Sequence, residues 1–217
     1  MVGRGNCHHK ENQMKNSPEQ LFQILSHPDF LAMKGLANEV PIFIQTYHPG
    51  HEDKMEQTVA AIIARLRKEG ISVALVDLFD MVLDLLSSAG RLEKAIKSEP
   101  TMPKRKMLEM LNNLADPKTM LIPRLSQIIG VPDIKVSLIK GVGHVYPFLR
   151  THTILESLQP AMMKHPVVMF FPGEYTHEES GASQLRLFGQ LIDPPQSHRF
   201  TRPYYRAFNL DHYRITQ

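Results

Sequence analysis

Asp133–Leu158, DIKVSLIKGVGHVYPFLRTHTILESL, reads as a buried strand, a glycine turn and a helix. Val136, Leu138 and Ile139 form a short aliphatic run of the kind that a strand covered on both faces requires. Gly141 and Gly143 follow at once and permit a positive φ or the close approach of another group. Beyond Pro147 the spacing of Ile154, Leu155 and Leu158 predicts a helix over 149–158. Between strand and helix stand His144, Tyr146, Arg150 and His152, more polar and aromatic groups than a plain connection needs. Sequence alone puts a candidate site here.

Outward from this stretch, three similar apolar runs are read as strands: 41–47 (PIFIQTY), 71–76 (ISVALV) and 166–171 (PVVMFF). Between the first two, Val59, Ile62, Ile63 and Leu66 repeat at helical spacing, and Gly70 ends the helix. Strand, helix, strand with short joints is the unit that builds parallel sheets. From Arg91 to Ile129 the periodicity is helical, broken at Pro100, Pro103 and Pro117. The predicted fold is α/β: a mainly parallel sheet flanked by helices in three layers, a degenerate P-loop or Rossmann-like arrangement with a helical insertion at about 87–130. Residues 1–16 read as a flexible polar tail and 17–217 as one domain, with Ser17, Pro18 and Gln20 opening its first helix.

The totals agree. A chain of 217 residues with 42% hydrophobic content can bury a sizeable core. No apolar run approaches the about 20 residues of a membrane helix, and the polar start lacks the centre of an export signal. The single cysteine, Cys7, excludes an internal disulfide and suits a reducing compartment, so the expected location is cytoplasmic, with no membrane partner. A net charge of +3 does not by itself indicate nucleic acid.

Each motif has a chemical reading and a plainer one. His48, His51, Glu52 and Asp53 invite a metal, yet Pro49-Gly50 marks an ordinary turn and the acids suit a helix start. No metal or cofactor is expected. Asp77 and Asp80 could hold Mg²⁺ but are better read as helix caps. The basic run Lys104-Arg105-Lys106 reads as a solvated helix face. At GVGH (141–144), His144 and Val145 stand where a phosphate loop needs Lys and a hydroxyl, so an anion could rest on backbone N–H groups without triphosphate hydrolysis. Ser180 and Ser183 lack a nucleophile elbow. His144 or His152 with Glu174 could form an acid–base pair, and Arg150 with Glu174 a structural one; the latter is preferred. No catalytic residue is assigned. The candidate loop for a ligand or partner is Gly141, Gly143, His144, Tyr146, Arg150 and His152, with Glu174 and Tyr175 at the exit of the next strand. In the last stretch Arg199, Arg202, Tyr204, Tyr205 and Arg206 interleave cations and rings as single-stranded nucleic-acid grips do. The alternation of 204–210 reads as an edge strand, and that structural reading is preferred.

The ordered set GVGHVYPFLRTHTILESLQ (141–159), FFPGEYT (170–176), LRLFG (185–189) and YYRAFNL (204–210) resembles the BrxB family of bacterial BREX phage-defence systems, as does HPDFLAMKGLANEVPIFI (27–44). The resemblance implies a cytoplasmic accessory component needed for phage restriction and host methylation. Such a component works beside a large ATPase, an adenine methyltransferase and a PglZ-type phosphatase-fold protein. It implies no catalytic activity. The expected function is a non-catalytic assembly subunit acting through protein–protein contacts, with the PglZ-type protein as direct partner. The alternatives are a nucleic-acid-binding module, for which DNA contact has weak support, and a degenerate nucleotide- or anion-binding protein.

Overall fold

The structure, a computed structural model, describes residues 16–36, 40–114, 116–158, 163–177, 183–189, 191–192 and 207–214. Arg199, Arg202, Tyr204, Tyr205 and Arg206 lie outside them, as does the tail before Asn16.

The chain opens with helix α1 (Pro18–Ser26), started by a reciprocal cap. Ser17 Oγ accepts from the Gln20 N–H, and Gln20 Oε1 accepts from the Ser17 N–H. After the short α2 (Pro28–Leu31) come β1 (Ile42–Tyr47), α3 (Glu52–Lys68) and β2 (Val73–Asp77). In α3, acids stand in the first turn and Arg65, Arg67 and Lys68 in the last, complementing the helix dipole. Gly70 (φ +77°) then reverses the chain, in a backbone region costly to any residue with a Cβ. Helix α4 (Leu78–Ser88) leads into the helical insertion, which comprises α5 (Leu92–Ser98), α6 (Lys104–Leu114) and α7 (Ile122–Ile129), with a π-turn at Pro117–Leu121 before α7. It returns to β3 (Val136–Lys140), α8 (Thr151–Ser157), β4 (Val167–His177), β5 (Ser183–Leu187), β6 (Leu191–Ile192) and β7 (Phe208–Asn209).

Among the described residues the strands form one sheet in the order β2-β3-β4-β1-β7, and every neighbouring pair on that path is parallel. The expected mainly parallel α/β fold is what the chain adopts. Alternation along the strands explains the continuous apolar runs. Ile42, Ile44, Ile139, Val167, Met169 and Phe171 face a core formed with α4, α7 and α8. Phe43, Val136, Leu138, Val168 and Phe170 face a second core formed with α1, α2 and α3. Helices thus cover both faces.

Three local readings differ from the structure. Helix α8 starts at Thr151 rather than 149, because Arg150 is extended (φ −99°, ψ 144°) and acts as its N-cap residue. Strand β4 does not stop at Phe171 but runs through Pro172-Gly173 to His177. Its first half pairs with β1 and β3, and its second half turns away to form an antiparallel hairpin with β5. Proline has no N–H to give a ladder, so it suits the residue at which the strand changes partners. Of the segment read as an edge strand over 204–210, the described part is strand only at Phe208–Asn209, at the sheet edge beside β1.

Candidate functional site

Strand order decides where a ligand crevice can form. From β1 the chain crosses to β2 at one edge, and from β4 it proceeds to β7 at the other. The connections leave in opposite directions, so the switch point lies between the carboxyl ends of β1 and β4. A cavity of about 590 Å³ opens there, walled by Thr46, Tyr47 and His48 on one side and Gly173, Glu174 and Tyr175 on the other. Phe188 and Gly189, in the turn after β5, close its rim. Several of its polar atoms are already bonded. Tyr175 donates its hydroxyl to the Ala207 carbonyl at 2.7 Å, and Thr46 donates to the buried Asp211 at 3.0 Å. His48 Nδ1 accepts from the Gly50 N–H at 3.1 Å, so His48 caps the 3-10 turn ahead of α3.

The start of α3 is the place where a phosphate would meet free N–H groups and the positive end of the helix dipole. Here two of the protein's own acids set negative charge beside that end. Glu52 and Asp53 occupy the first turn. Glu52 Oε2 accepts from the Tyr47 hydroxyl at 2.7 Å, and its Oε1 lies 3.9 Å from His144 Nε2. Burial first, and the Glu52 carboxylate second, push the Tyr47 phenol far above its ordinary range. One turn on, Glu56 holds Lys140 Nζ at 2.7 and 2.6 Å from its two oxygens. Asp77 Oδ2 lies 3.0 Å from the same ammonium, while Asp77 Oδ1 caps α4 by accepting from the N–H groups of Phe79 and Asp80. Burial works against Lys140 as a cation, but the bonds to Glu56 and Asp77 outweigh it and hold its pKa above the usual value. Burial likewise works to raise Asp77, and the bonds to Lys140 and to the α4 N–H groups outweigh it and keep the carboxyl below its usual range. The acid in the cavity's own lining is Glu174; Glu52 reaches the cavity only through Tyr47, and Lys140, with Glu56 and Asp77, stands outside that lining. Lys140, the cation of this group, is committed to Glu56 and Asp77. Among the described residues no three His, Cys, Asp or Glu side chains are grouped to hold a metal ion.

The sequence candidates divide between two places. Gly141 (φ +78°) lies against the Asp77 carboxylate, where a Cβ would stand 2.7 Å from Oδ1. The close approach read from this glycine is thus made by the protein itself. Gly143 packs under the hairpin, where a Cβ would stand 3.0 Å from both Phe188 and Pro172. Glu174 and Tyr175 line the switch-point cavity, whereas His144 and Tyr146 line a separate groove against the helical insertion. Phe188 (φ +55°) stands between the two, edge-on to Tyr146 at 6.5 Å. Arg150 is half-buried at the start of α8, and His152 is buried within it. Sequence reading missed Tyr47, Glu56 and Lys140. One signal was present: two consecutive apolar strands end in opposite charges, Asp77 and Lys140, which pair in register across β2 and β3.

Fold and crevice together define an α/β protein with a mainly parallel sheet flanked by helices and a cavity at its switch point. The chain belongs to the BrxB family: residues 74–210 match that family, described as BREX protein BrxB. A BREX protein BrxB from Bacillus cereus (strain H3081.97) is 31% identical over 208 residues, covering 91% of this chain and 98% of the relative. A BREX protein BrxB from Escherichia coli O9:H4 (strain HS) is 22% identical over 191 residues, covering 88% of each. No solved structure matches the chain. Its role is in BREX defence. Among the described residues no helix is long and apolar enough to cross a membrane.

Proposed function

We propose that this chain is a non-catalytic assembly subunit of its BREX system, working through contacts with the system's other components. The PglZ-type phosphatase-fold protein is the direct partner, by family analogy. The observation that carries this reading is the mutual pairing of the charged groups at the ends of β2 and β3 and on α3. Lys140 is bound by Glu56 and Asp77, and the α3 terminus is faced by Glu52 and Asp53. A catalytic crevice keeps at least one nucleophile, base or cation free for substrate. Here Lys140, Glu56 and Asp77 are spent on each other, which ties α3 to the ends of β2 and β3 without offering chemistry.

Two measurements test the proposal together. Purified protein with Mg²⁺ and ATP or GTP is expected to release phosphate no faster than buffer. Tagged protein expressed from the intact operon is expected to retain a BREX component through moderate salt. A nucleic-acid module would instead lose its partner steeply as salt rises. Metal-dependent hydrolysis that disappears in Lys140→Met would overturn the assembly reading and revive an enzyme.

A further inference from the structure

A second concavity, of about 690 Å³, lies between α6, the start of α4 and loop 144–148. Its walls are largely apolar: Phe79, Val82, Leu108, Leu111 and Phe148 form the body, with Met102 and Met107 beside them. Phe79 is 43% exposed, which is unusual for a Phe and leaves a ring face open to a partner. Methionine is unbranched and polarisable, and grooves that take helices use it to fit the incoming side chains.

The charges at its edge are arranged at a cost to the protein. Lys104, Arg105 and Lys106 occupy the first turn of α6, which contains no acid. Three cations there repel one another and oppose the positive end of the helix dipole. Among the described residues Lys104 and Lys106 form no ion pair, and Arg105 has only an exposed contact of 3.5 Å with Glu109. Lys104 and Arg105 line the groove together with His144, and Glu99 is the acid at its mouth. A local arrangement that opposes the helix without an internal gain marks a position shaped by function.

We infer that this groove docks an amphipathic helix from another BREX component, apolar on the buried face and flanked by Asp or Glu that meet Lys104 and Arg105. The inference rests on the assembly reading and names its surface. To test it, a photocrosslinking amino acid replaces Leu111 in the full chain expressed with the operon, with the same replacement at Lys68, exposed on α3, as control. The expected crosslink from position 111 falls on another component, in a segment with apolar residues three and four apart and acids beside them. Position 68 gives none. The double variant Lys104→Glu/Arg105→Glu, at exposed positions, should fold and reduce the yield at least about fivefold. Crosslinks to nucleic acid, to a basic segment or to a copy of this chain would overturn the groove assignment, as would a yield indifferent to charge reversal. Co-purification without a crosslink at 111 rejects the groove alone, whereas loss of all co-purification rejects the assembly reading and the groove with it.

Discussion

Lys140 is held between two half-buried carboxylates from different elements, Glu56 of α3 and Asp77 of β2. Removing its charge while keeping its bulk, as in Lys140→Met, leaves both acids facing each other without a counterion. Breaking a fully buried pair costs about 3–5 kcal/mol. Glu56 retains 35% side-chain exposure, so solvent screening reduces the expected loss to about 1–3 kcal/mol in urea unfolding. Because the folded pKa of Asp77 is depressed, its contribution is present above the usual 3.8 and is lost as pH falls through the folded value. His165 provides a second pH dependence, nearer neutrality. It is 1% exposed, its Nε2 lies 2.7 Å from Ser137 Oγ, and its Nδ1 is buried without a partner. Burial lowers its pKa, so the neutral ring is the folded form. The sign follows from linkage: stability is complete above the usual 6.5 and falls as pH drops below it, since the unfolded chain takes up the proton first. Unfolding midpoints measured between neutral pH and about pH 5 should therefore decline less in His165→Gln than in the wild type. Equal slopes would show that His165 is not buried neutral.

Strand β4 shows how one element can serve two sheets of contacts. Val167 to Pro172 pair with β1, and Gly173 to His177 pair with β5. The change of partner depends on Gly173, where a Cβ would collide with the Arg186 carbonyl oxygen. The Phe188 N–H donates to the Pro172 carbonyl at 2.8 Å and secures the turn beside it. Gly173→Ala should destabilise the protein by about 1–3 kcal/mol or detach the hairpin, measurable as a lower unfolding midpoint and faster amide exchange over 183–187. Wild-type exchange there would refute the close packing. Sequence reading ended this strand at Phe171, before a Pro-Gly pair of the kind local rules assign to turns, and the override comes from tertiary pairing with β5. The helical insertion was legible for the opposite reason. Pro100, Pro103 and Pro117 interrupt helices by local sterics, and the observed gaps between α5, α6 and α7 contain them. The basic turn of α6 was visible too, but the apolar groove beside it requires α4 and loop 144–148 to be brought alongside.

For the whole molecule, the parallel α/β class could be read because both faces of the sheet are covered, so that β1 and β4 open on uninterrupted apolar runs and β3 is apolar but for Ser137 and the terminal Lys140. Strand order could not be read from those runs, and it determines the crevice. Placing β4 beside β1 moves the switch point away from the glycine loop and onto Tyr47, His48 and Glu174. The glycines at 141 and 143 then serve packing against Asp77 and Phe188. On the proposed assembly reading, the cation-edged apolar groove is where other components hold this chain. Sedimentation velocity on the purified chain mixed with the PglZ-type protein of its own system measures this directly. A single faster boundary that persists as salt is raised is the predicted result; two independent boundaries at every salt concentration would contradict it.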